Sequence, residues 1–221
     1  MENNHQYACR EYWNERFLEE EQFEWLADFD AFKHLVLPHL KLDSRILHVG
    51  CGSSQMSMQL YNMGYKNITN VDYSEVLVDS RRSSSPNMKW ICDDVRSLAS
   101  IPSGSFDVVI EKATLEALLV TEKSPWNPSD VALETIDSVF ESIARVLTGD
   151  GIFISISFTQ PHFRVPALLR QEKWSVSVEE FGEFFHYFVY VMHCRLQTSR
   201  EVKDRFASIA PDWSRKIKAA K

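Results

Sequence analysis

The stretch Ile46-Leu47-His48-Val49-Gly50-Cys51-Gly52 indicates the fold class. It begins with a short apolar run typical of a β-strand and ends in two glycines that flank one residue. Such a turn leaves the sheet sharply, and its backbone N–H groups can approach a ligand closely because no side chain intervenes. In an open parallel sheet the turn lies at the carboxyl ends of the strands, where ligands bind. Taken alone, the pattern is also compatible with a plain tight turn.

An acidic residue ends the next predicted strand. Asn67 to Val71 reads as that strand, Asp72 follows it, and Ser74 is a suitable N-cap for a helix from Glu75 to about Arg82. Asp72 follows Gly50 at the spacing of about 20 residues at which a carboxylate accepts hydrogen bonds from a ribose. The spacing favours a ribose contact, and the alternative is a turn residue ahead of the Ser74 cap.

The third predicted strand, Met88 to Cys92, is followed by Asp93 and Asp94. A carboxylate and the next backbone N–H at this edge can bind an adenine, although either acid can instead cap the turn. A dinucleotide site requires a third glycine in the pattern G-x-G-x-x-G, and that position is Gln55. A nucleoside without phosphates, S-adenosylmethionine, therefore fits the sequence better than NAD.

The rest of the chain continues the alternation of strands and helices. A helix is predicted from Gln55 to Met63, and a long periodic helix is capped by Asp130 and followed by Gly149. The remaining predicted strands are Phe106 to Ile110, Gly151 to Phe158, Trp174 to Phe181 and Phe185 to Leu196, of which the last two form a hairpin. The series predicts an α/β fold, a doubly wound and mostly parallel sheet with an antiparallel C-terminal hairpin.

Length and composition predict one globular domain over residues 1–221, because 44% of the residues are hydrophobic and 25% are charged. No run reaches the roughly 18 apolar residues of a membrane-spanning helix, and the N-terminus lacks the pattern of a signal peptide. The scattered cysteines, without metal-ligand spacing, predict free thiols and no metal site. We expect a cytoplasmic protein without a membrane partner.

Charge is distributed unevenly along the chain. The formal net charge of −7 disfavours nucleic acid and suits a basic partner. Residues 195–221 nevertheless contain eight Lys or Arg and three Asp or Glu. We interpret residues 197–221 as a basic C-terminal tail, either a solvated helix or a segment that docks on a partner or contacts phosphate.

Several stretches resemble the motifs of the class I S-adenosylmethionine-dependent methyltransferases, and the resemblance spans roughly residues 12–196. They are Ile46 to Gly52, Val71-Asp72-Tyr73-Ser74, Asp94-Val95 and Ser105 to Lys112. Within that family, Tyr12-Trp13-Asn14-Glu15-Arg16-Phe17 and Glu111-Lys112-Ala113-Thr114-Leu115-Glu116-Ala117-Leu118 resemble the group that methylates lysine in translation elongation factor 1-alpha. The resemblance implies S-adenosyl-L-methionine as cofactor, that factor as partner, and a Rossmann-like sheet of seven strands with a reversed last strand.

The resemblance also implies which residues bind the methyl donor. In this family an aromatic N-terminal segment folds over the donor, which implies a lid at residues 1–33 containing Trp13, Phe17 and Trp25. The other cofactor-binding residues implied by position are Gly50, Gly52, Asp72, Tyr73, Asp94, Val95 and Lys112. Without the resemblance, Trp13 and Trp25 are compatible with core packing, and Lys112 with a solvated strand end.

Two positions depart from the family's first motif, where an acid usually stands at His48 and a glycine at Ser54. His48 cannot serve as a carboxylate anchor for the methionine amino group. We therefore interpret it as a strand histidine whose hydrogen bonds are satisfied within the protein.

Methyl transfer to lysine requires a neutral amine aligned with the sulfonium methyl group. The lysine pKa is about 10.4 in water, and partial desolvation lowers it. Glu111, at the end of the fourth strand, is the predicted catalytic residue that orients the amine. The alternatives are an ion pair with Lys112 and an acid at a helix N-terminus.

Two segments, Lys123 to Ser129 and Thr159 to Pro166, lie on the predicted rim and can either hold a protein substrate or simply connect elements. The alternative functions are a small-molecule methyltransferase and a non-catalytic adaptor that binds the donor.

Overall fold

The structure, a computed structural model, describes residues 4–171, 173–207 and 209–217. Its strands are β1 Ile46–Val49, β2 Ile68–Asp72, β3 Lys89–Cys92, β4 Phe106–Lys112, β5 Leu147–Ser157, β6 Trp174–Phe181 and β7 Tyr187–Cys194. Its α-helices are α1 Arg10–Glu19, α2 Phe29–Val36, α3 Met56–Asn62, α4 Glu75–Ser84, α5 Thr114–Leu118, α6 Asp130–Val146, α7 Pro161–Leu168 and α8 Arg200–Ala207. Short 3-10 helices lie at Asn4–Ala8, Leu37–His39 and Pro211–Ser214.

The seven strands form one sheet in the order β3-β2-β1-β4-β5-β7-β6. Strands β1 to β5 pair in parallel, and β7 lies between β5 and β6, antiparallel to both. This arrangement confirms the predicted mostly parallel sheet with a C-terminal hairpin and a reversed last strand. The carboxyl ends of β1 to β4 therefore meet at one edge, where the glycine turn and the acids lie.

Both faces of the sheet are covered, as the fully buried β1 requires. Ile46 packs into a cluster with apolar residues of α2, α3 and α4, while Leu47 and Val49 pack on the other face with α6 and α7. Alternate residues of one strand thus enter different cores, because successive side chains point to opposite faces.

The long helix α6 begins at Asp130, the residue that was predicted to be its N-cap. Ser129 is the N-cap, since its Oγ accepts a hydrogen bond from the Ala132 N–H at 3.1 Å. Asp130 is already helical and pairs with Arg215 at 2.5 Å. At the other end, β5 starts at Leu147 directly after the helix, so Gly149 lies inside the strand.

The hairpin turn extends further than predicted. Strand β7 begins at Tyr187, and the Phe184 and Phe185 side chains lie in the turn, 97% and 61% exposed. Gly182, with a φ of +101°, begins this turn and ends the pairing of β6.

The N-terminal segment that covers the cavity ends before residue 33, the boundary predicted for the lid. Phe29, Phe32 and Val36 are at most 1% exposed, so α2 belongs to the core. The covering segment comprises residues 4–28, which we call the N-terminal cover. Residues 1–3 of the predicted lid lie outside the described residues.

The described part of the basic tail contains a helix, α8, whose charged residues are exposed, followed by a segment that docks on the core. Trp213 is 6% exposed, and its indole N–H donates to the Pro125 carbonyl at 2.6 Å. Arg170 donates to the Trp213 and Arg215 carbonyls. Apolar residues within the basic stretch drive this docking. Residues 208 and 218–221 of the predicted tail lie outside the described residues.

Within the described ranges, none of the helices combines the length and apolar character needed to cross a membrane.

Candidate functional site

A cavity of about 260 Å³ lies at the carboxyl edge of β1 to β4. All ten residues predicted to bind the donor line it, namely Trp13, Phe17, Trp25, Gly50, Gly52, Asp72, Tyr73, Asp94, Val95 and Lys112. Among the described residues that border the cavity, Glu111 is not included. The structure thus brings together residues from the N-terminal cover and from four strand ends.

The glycine turn depends on its missing side chains. Gly50 and Gly52 have φ angles of +58° and +50°, a conformation that other residues adopt only with strain. A Cβ atom on Gly50 would lie 2.1 Å from Thr114 Oγ1. Gly50 therefore allows the β4–α5 turn to approach the first loop closely.

Asp72 holds the glycine turn through hydrogen bonds and can still accept further hydrogen bonds from a ligand. Its Oδ2 accepts the Gly52 N–H and its Oδ1 accepts the Ser74 N–H, both at 3.0 Å. Burial raises the pKa of Asp72, and these backbone donors oppose the rise. Each carboxylate oxygen can accept a second hydrogen bond, so Asp72 can hold the turn and still bind a diol.

The two acids after β3 have different surroundings. Asp93 organises its own turn, since Oδ2 accepts the Ser100 N–H at 2.8 Å. Burial alone would raise the pKa of Asp94, but hydrogen bonds from Arg96 lower it overall. Asp94 is thus held as an anion beside the buried Val95 at the cavity wall.

The N-terminal cover closes the cavity with aromatic rings. Trp13 stacks on Phe17 with ring centroids 5.7 Å apart and meets Trp25 edge-on at 6.0 Å. The Trp13 indole N–H donates to the Tyr7 carbonyl at 2.8 Å. These rings both pack with the core and line the cavity, so the two interpretations of the tryptophans coincide.

Lys112 fastens this cover from the end of β4. Its ammonium donates to Glu24, to the Trp25 carbonyl at 2.9 Å and to the Ala27 carbonyl at 3.2 Å. Burial lowers the pKa of Lys112, and Glu24 opposes that effect. The side chain is buried, which rules out the solvated strand end, and its three N–H bonds are directed to the cover.

Glu24 also occupies the N-terminus of α3. Its Oε1 accepts the Gln55 N–H at 2.5 Å, and both its oxygens accept from the Ser54 hydroxyl. In dinucleotide-binding folds the pyrophosphate sits at this position, stabilised by the helix dipole and free N–H groups. Because a carboxylate already fills it, the site fits a phosphate-free nucleoside and opposes a pyrophosphate.

His48 is a buried strand histidine that bonds within the protein through Nδ1, as we inferred, although it also borders the cavity. Its Nδ1 lies 2.8 Å from Ser57 Oγ, and that hydroxyl donates to Asn70 at 2.6 Å. Burial, assisted by the Lys112 charge, lowers the pKa of His48 to about 3. The imidazole is therefore neutral. Because the Ser57 hydroxyl donates to Asn70, it accepts a hydrogen bond from His48, so the imidazole carries its proton on Nδ1.

Glu111 is 1% exposed and is not among the described residues that line the cavity. Its Oε2 accepts the Thr114 N–H at 2.9 Å and the Leu115 N–H at 3.4 Å, while Ser155 bonds to Oε1. The geometry therefore supports the helix N-terminal alternative and not the predicted contact with the substrate amine. Burial and the Glu116 charge raise the pKa of Glu111 to about 7.

Sequence reasoning missed Glu116, an acid of α5 that does line the cavity. Its carboxylate pairs with Arg164 of α7, and both side chains are buried. The available signal was a second acid in the stretch Glu111 to Leu118, but helix α5 itself was not predicted.

The two predicted rim segments contact each other. Trp126, 54% exposed, lies edge-on to Phe163 at 4.8 Å and stacks with His162 at 5.7 Å. Most of the second segment is helix α7 and not a loop. Together they form an exposed aromatic patch, which we call the aromatic rim.

Within the described part of the chain, His, Cys, Asp and Glu side chains form no group of three or more that could hold a metal ion. Cys9, Cys51, Cys92 and Cys194 are free thiols.

Comparison with solved structures shows the fold. A SAM-dependent methyltransferase from Methanosarcina mazei superposes with a TM-score of 0.55 at 15% identity, covering 74% of this chain and 98% of that one. One from Aquifex aeolicus has a TM-score of 0.54 at 15% identity, covering 81% and 97%.

Comparison with sequences shows the family. Residues 47–155 match the family described as a methyltransferase domain. EEF1A lysine methyltransferase 4 of Mus musculus is 40% identical over 199 residues, which covers 87% of this chain and 78% of that protein. The Bos taurus protein of the same name is 38% identical over 198 residues, covering 86% and 77%. This chain therefore belongs to the family of S-adenosylmethionine-dependent methyltransferases that includes EEF1A lysine methyltransferase 4.

Proposed function

We propose that this protein-lysine methyltransferase acts on translation elongation factor 1-alpha, in the cytoplasm. The substrate is supported by the 40% identity to EEF1A lysine methyltransferase 4 over 78% of that protein. The net charge of −7 suits a basic partner, and the free thiols suit a reducing compartment.

One observation in the structure carries the assignment of the cavity to the methyl donor. Asp72 keeps lone pairs available for a ribose, while Glu24 occupies the helix N-terminus that a pyrophosphate would need. The cavity therefore selects an adenosine without phosphates. In this assignment Asp72 binds the ribose diol, Asp94 and Val95 contact the adenine, and Gly50 and Gly52 bring the backbone close.

When bound, S-adenosylmethionine supplies a methyl group that its sulfonium already activates. The chain's task is consequently to position the amine and to exclude water. Trp13, Phe17 and Trp25 of the N-terminal cover shield one side of the cavity, and Lys112 holds that cover in place. Apolar walls also favour the neutral form of an entering lysine, because desolvation disfavours the ammonium.

The test is methylation of purified elongation factor 1-alpha by the purified chain with labelled S-adenosylmethionine. We expect label in the factor, located by peptide mass spectrometry to one lysine and lost when that lysine is replaced by arginine. Label recovered from a cytosolic extract only in small molecules would overturn the protein substrate. Donor binding without any transfer would identify an adaptor.

A further inference from the structure

Glu116 has one carboxylate oxygen that the protein leaves without a partner. Its Oε1 accepts hydrogen bonds from Ser157, from Arg164 and from Thr159 Oγ1, the last at 2.9 Å. Its Oε2 is buried and has no hydrogen-bond partner among the residues that the structure describes. Because a buried carboxylate oxygen without a donor is costly, a donor that reaches this atom from the cavity would be favoured.

In each of the other acids that line the cavity, both carboxylate oxygens already accept at least one hydrogen bond within the protein. Asp72 accepts two backbone N–H groups, Asp93 bonds to Ser100, and Asp94 pairs with Arg96. Glu116 differs because all its donors converge on one oxygen. The carboxylate is thus fixed in position, with its side chain 8% exposed, while half of its bonding capacity is unused.

The local charge also leaves room for a cation. Arg164 is buried against Glu116, and the charges of Glu116 and Glu111 outweigh the effect of burial and raise the pKa of the Arg164 guanidinium. Glu111 lies behind this pair, close enough for the Glu116 charge to raise its pKa. Two buried carboxylates therefore share one arginine, so a positive charge beside Glu116 would balance the second carboxylate whenever Glu111 loses its proton.

The surroundings of Glu116 fit an amine on an apolar stem. Leu118, Val120 and Phe158 line the same cavity, and Phe158 is 48% exposed, so it lies where the cavity meets solvent. Aliphatic and aromatic walls can pack against the methylenes of a lysine side chain while the charged head reaches an acid.

We infer that Glu116, and not Glu111, binds the substrate amine, with Oε2 accepting a hydrogen bond from the lysine nitrogen. The inference rests on the proposed function, because it names the acceptor side of the same cavity. The lysine ammonium first gives one proton to bulk water. Its lone pair then forms the N–C bond as the C–S bond breaks toward sulfur, and the methylammonium product keeps its hydrogen bond to Glu116.

Glu116→Gln tests the role in turnover, with Glu134→Gln, at an exposed position on α6, as the matched control. We expect Glu116→Gln to lower kcat/KM for elongation factor 1-alpha by at least about 10-fold, the scale of one charged hydrogen bond. Calorimetric affinity for S-adenosylhomocysteine should stay within about 2-fold, whereas a general loss of structure would lower it. Wild-type turnover in Glu116→Gln would overturn the inference.

A binding measurement separates this inference from the choice of substrate. The chain saturated with S-adenosylhomocysteine is titrated with n-butylammonium, which mimics the lysine side chain, and with the neutral n-butanol. We expect the wild type and Glu134→Gln to prefer the cation and Glu116→Gln to lose that preference. If the wild type shows no preference, the amine site is refuted, even when the factor is methylated.

The two failures are therefore distinguishable. A cation preference that depends on Glu116, without methylation of elongation factor 1-alpha, would sustain the amine site and refute the proposed substrate. If Glu116→Gln fails to fold because Arg164 loses its partner, Glu116→Asp retains the charge and withdraws the carboxylate by one methylene. Loss of the cation preference in a folded Glu116→Asp supports the inference, and its retention contradicts it.

Discussion

The end of β2 and the end of β4 each carry a buried carboxylate, and the two carboxylates face different surroundings. Asp72 accepts backbone N–H groups and still borders the cavity. Glu111 also accepts backbone N–H groups, but it lies against Ser155 and caps α5 outside the cavity lining. A strand end therefore does not make an acid functional by itself. The side of the sheet to which the residue points decides its role.

Lys112, the residue after Glu111, shows the same dependence on side-chain direction. Its side chain points the other way, toward the N-terminal cover. The two charged residues at the end of β4 thus serve opposite faces, and both support structure. At the end of β2, by contrast, the Asp72 carboxylate borders the cavity while it accepts two backbone N–H groups.

The largest effect is expected on the free energy of unfolding when Lys112, which fastens the N-terminal cover, is replaced. Lys112→Met leaves the Glu24 carboxylate buried without its cation, so we expect a loss of about 3 kcal/mol in unfolding free energy. Urea denaturation measures it, and Glu24→Gln combined with Lys112→Met should recover much of the loss. Unchanged stability with greatly weakened donor binding would instead indicate that Lys112 contacts the donor directly.

Asp72→Ala tests the other strand end. We expect donor binding to weaken by about 1–3 kcal/mol, because hydrogen bonds to the ribose are lost. Calorimetry with S-adenosylhomocysteine measures the change, and Asp79→Ala on the exposed face of α4 is the control. If donor affinity is unchanged, Asp72 does not belong to the donor site.

Glu111→Gln should act on the pH dependence of stability and leave donor affinity unchanged. The folded-state pKa of about 7 lies above the ordinary 4.5, so the folded protein holds an extra proton between these values. Its contribution to stability is present below about pH 4.5 and is lost as the pH rises to about 7. The melting temperature of Glu111→Gln, measured relative to that of the wild type, should therefore rise from pH 5 to pH 8. A parallel pH dependence would remove Glu111 as the titrating group.

The smallest effect concerns the aromatic rim, which lies beyond both strand ends. Trp126→Ala should raise the KM for elongation factor 1-alpha about 3- to 10-fold, since exposed aromatics often anchor a protein partner. Steady-state kinetics should show an unchanged kcat, and calorimetry an unchanged donor affinity. An unchanged KM would exclude Trp126 from the substrate contact.

Much of the fold was predictable because its signals are local. The turn at Gly50, the apolar period of α6 and the alternation of strands and helices depend on neighbours in the chain. The cap at Ser129 was missed by one residue, since Ser and Asp are both good N-caps and only backbone geometry separates them. Helix α8 and Trp213 were read as tail because their partners, such as Pro125, lie far away in sequence.

The sequence by itself determined the order of elements, the close turn after β1 and the acids at the ends of β2 and β3. These follow from short-range propensities and from the rule that parallel strands end at one edge of the sheet. Only the tertiary structure decided that Glu111 bonds to the N-terminus of α5 and to Ser155, that Glu24 fills the N-terminus of α3, and that Glu116 pairs with Arg164. Each of these depends on contacts between distant segments, and the direction of a single side chain follows from that packing and not from spacing along the chain.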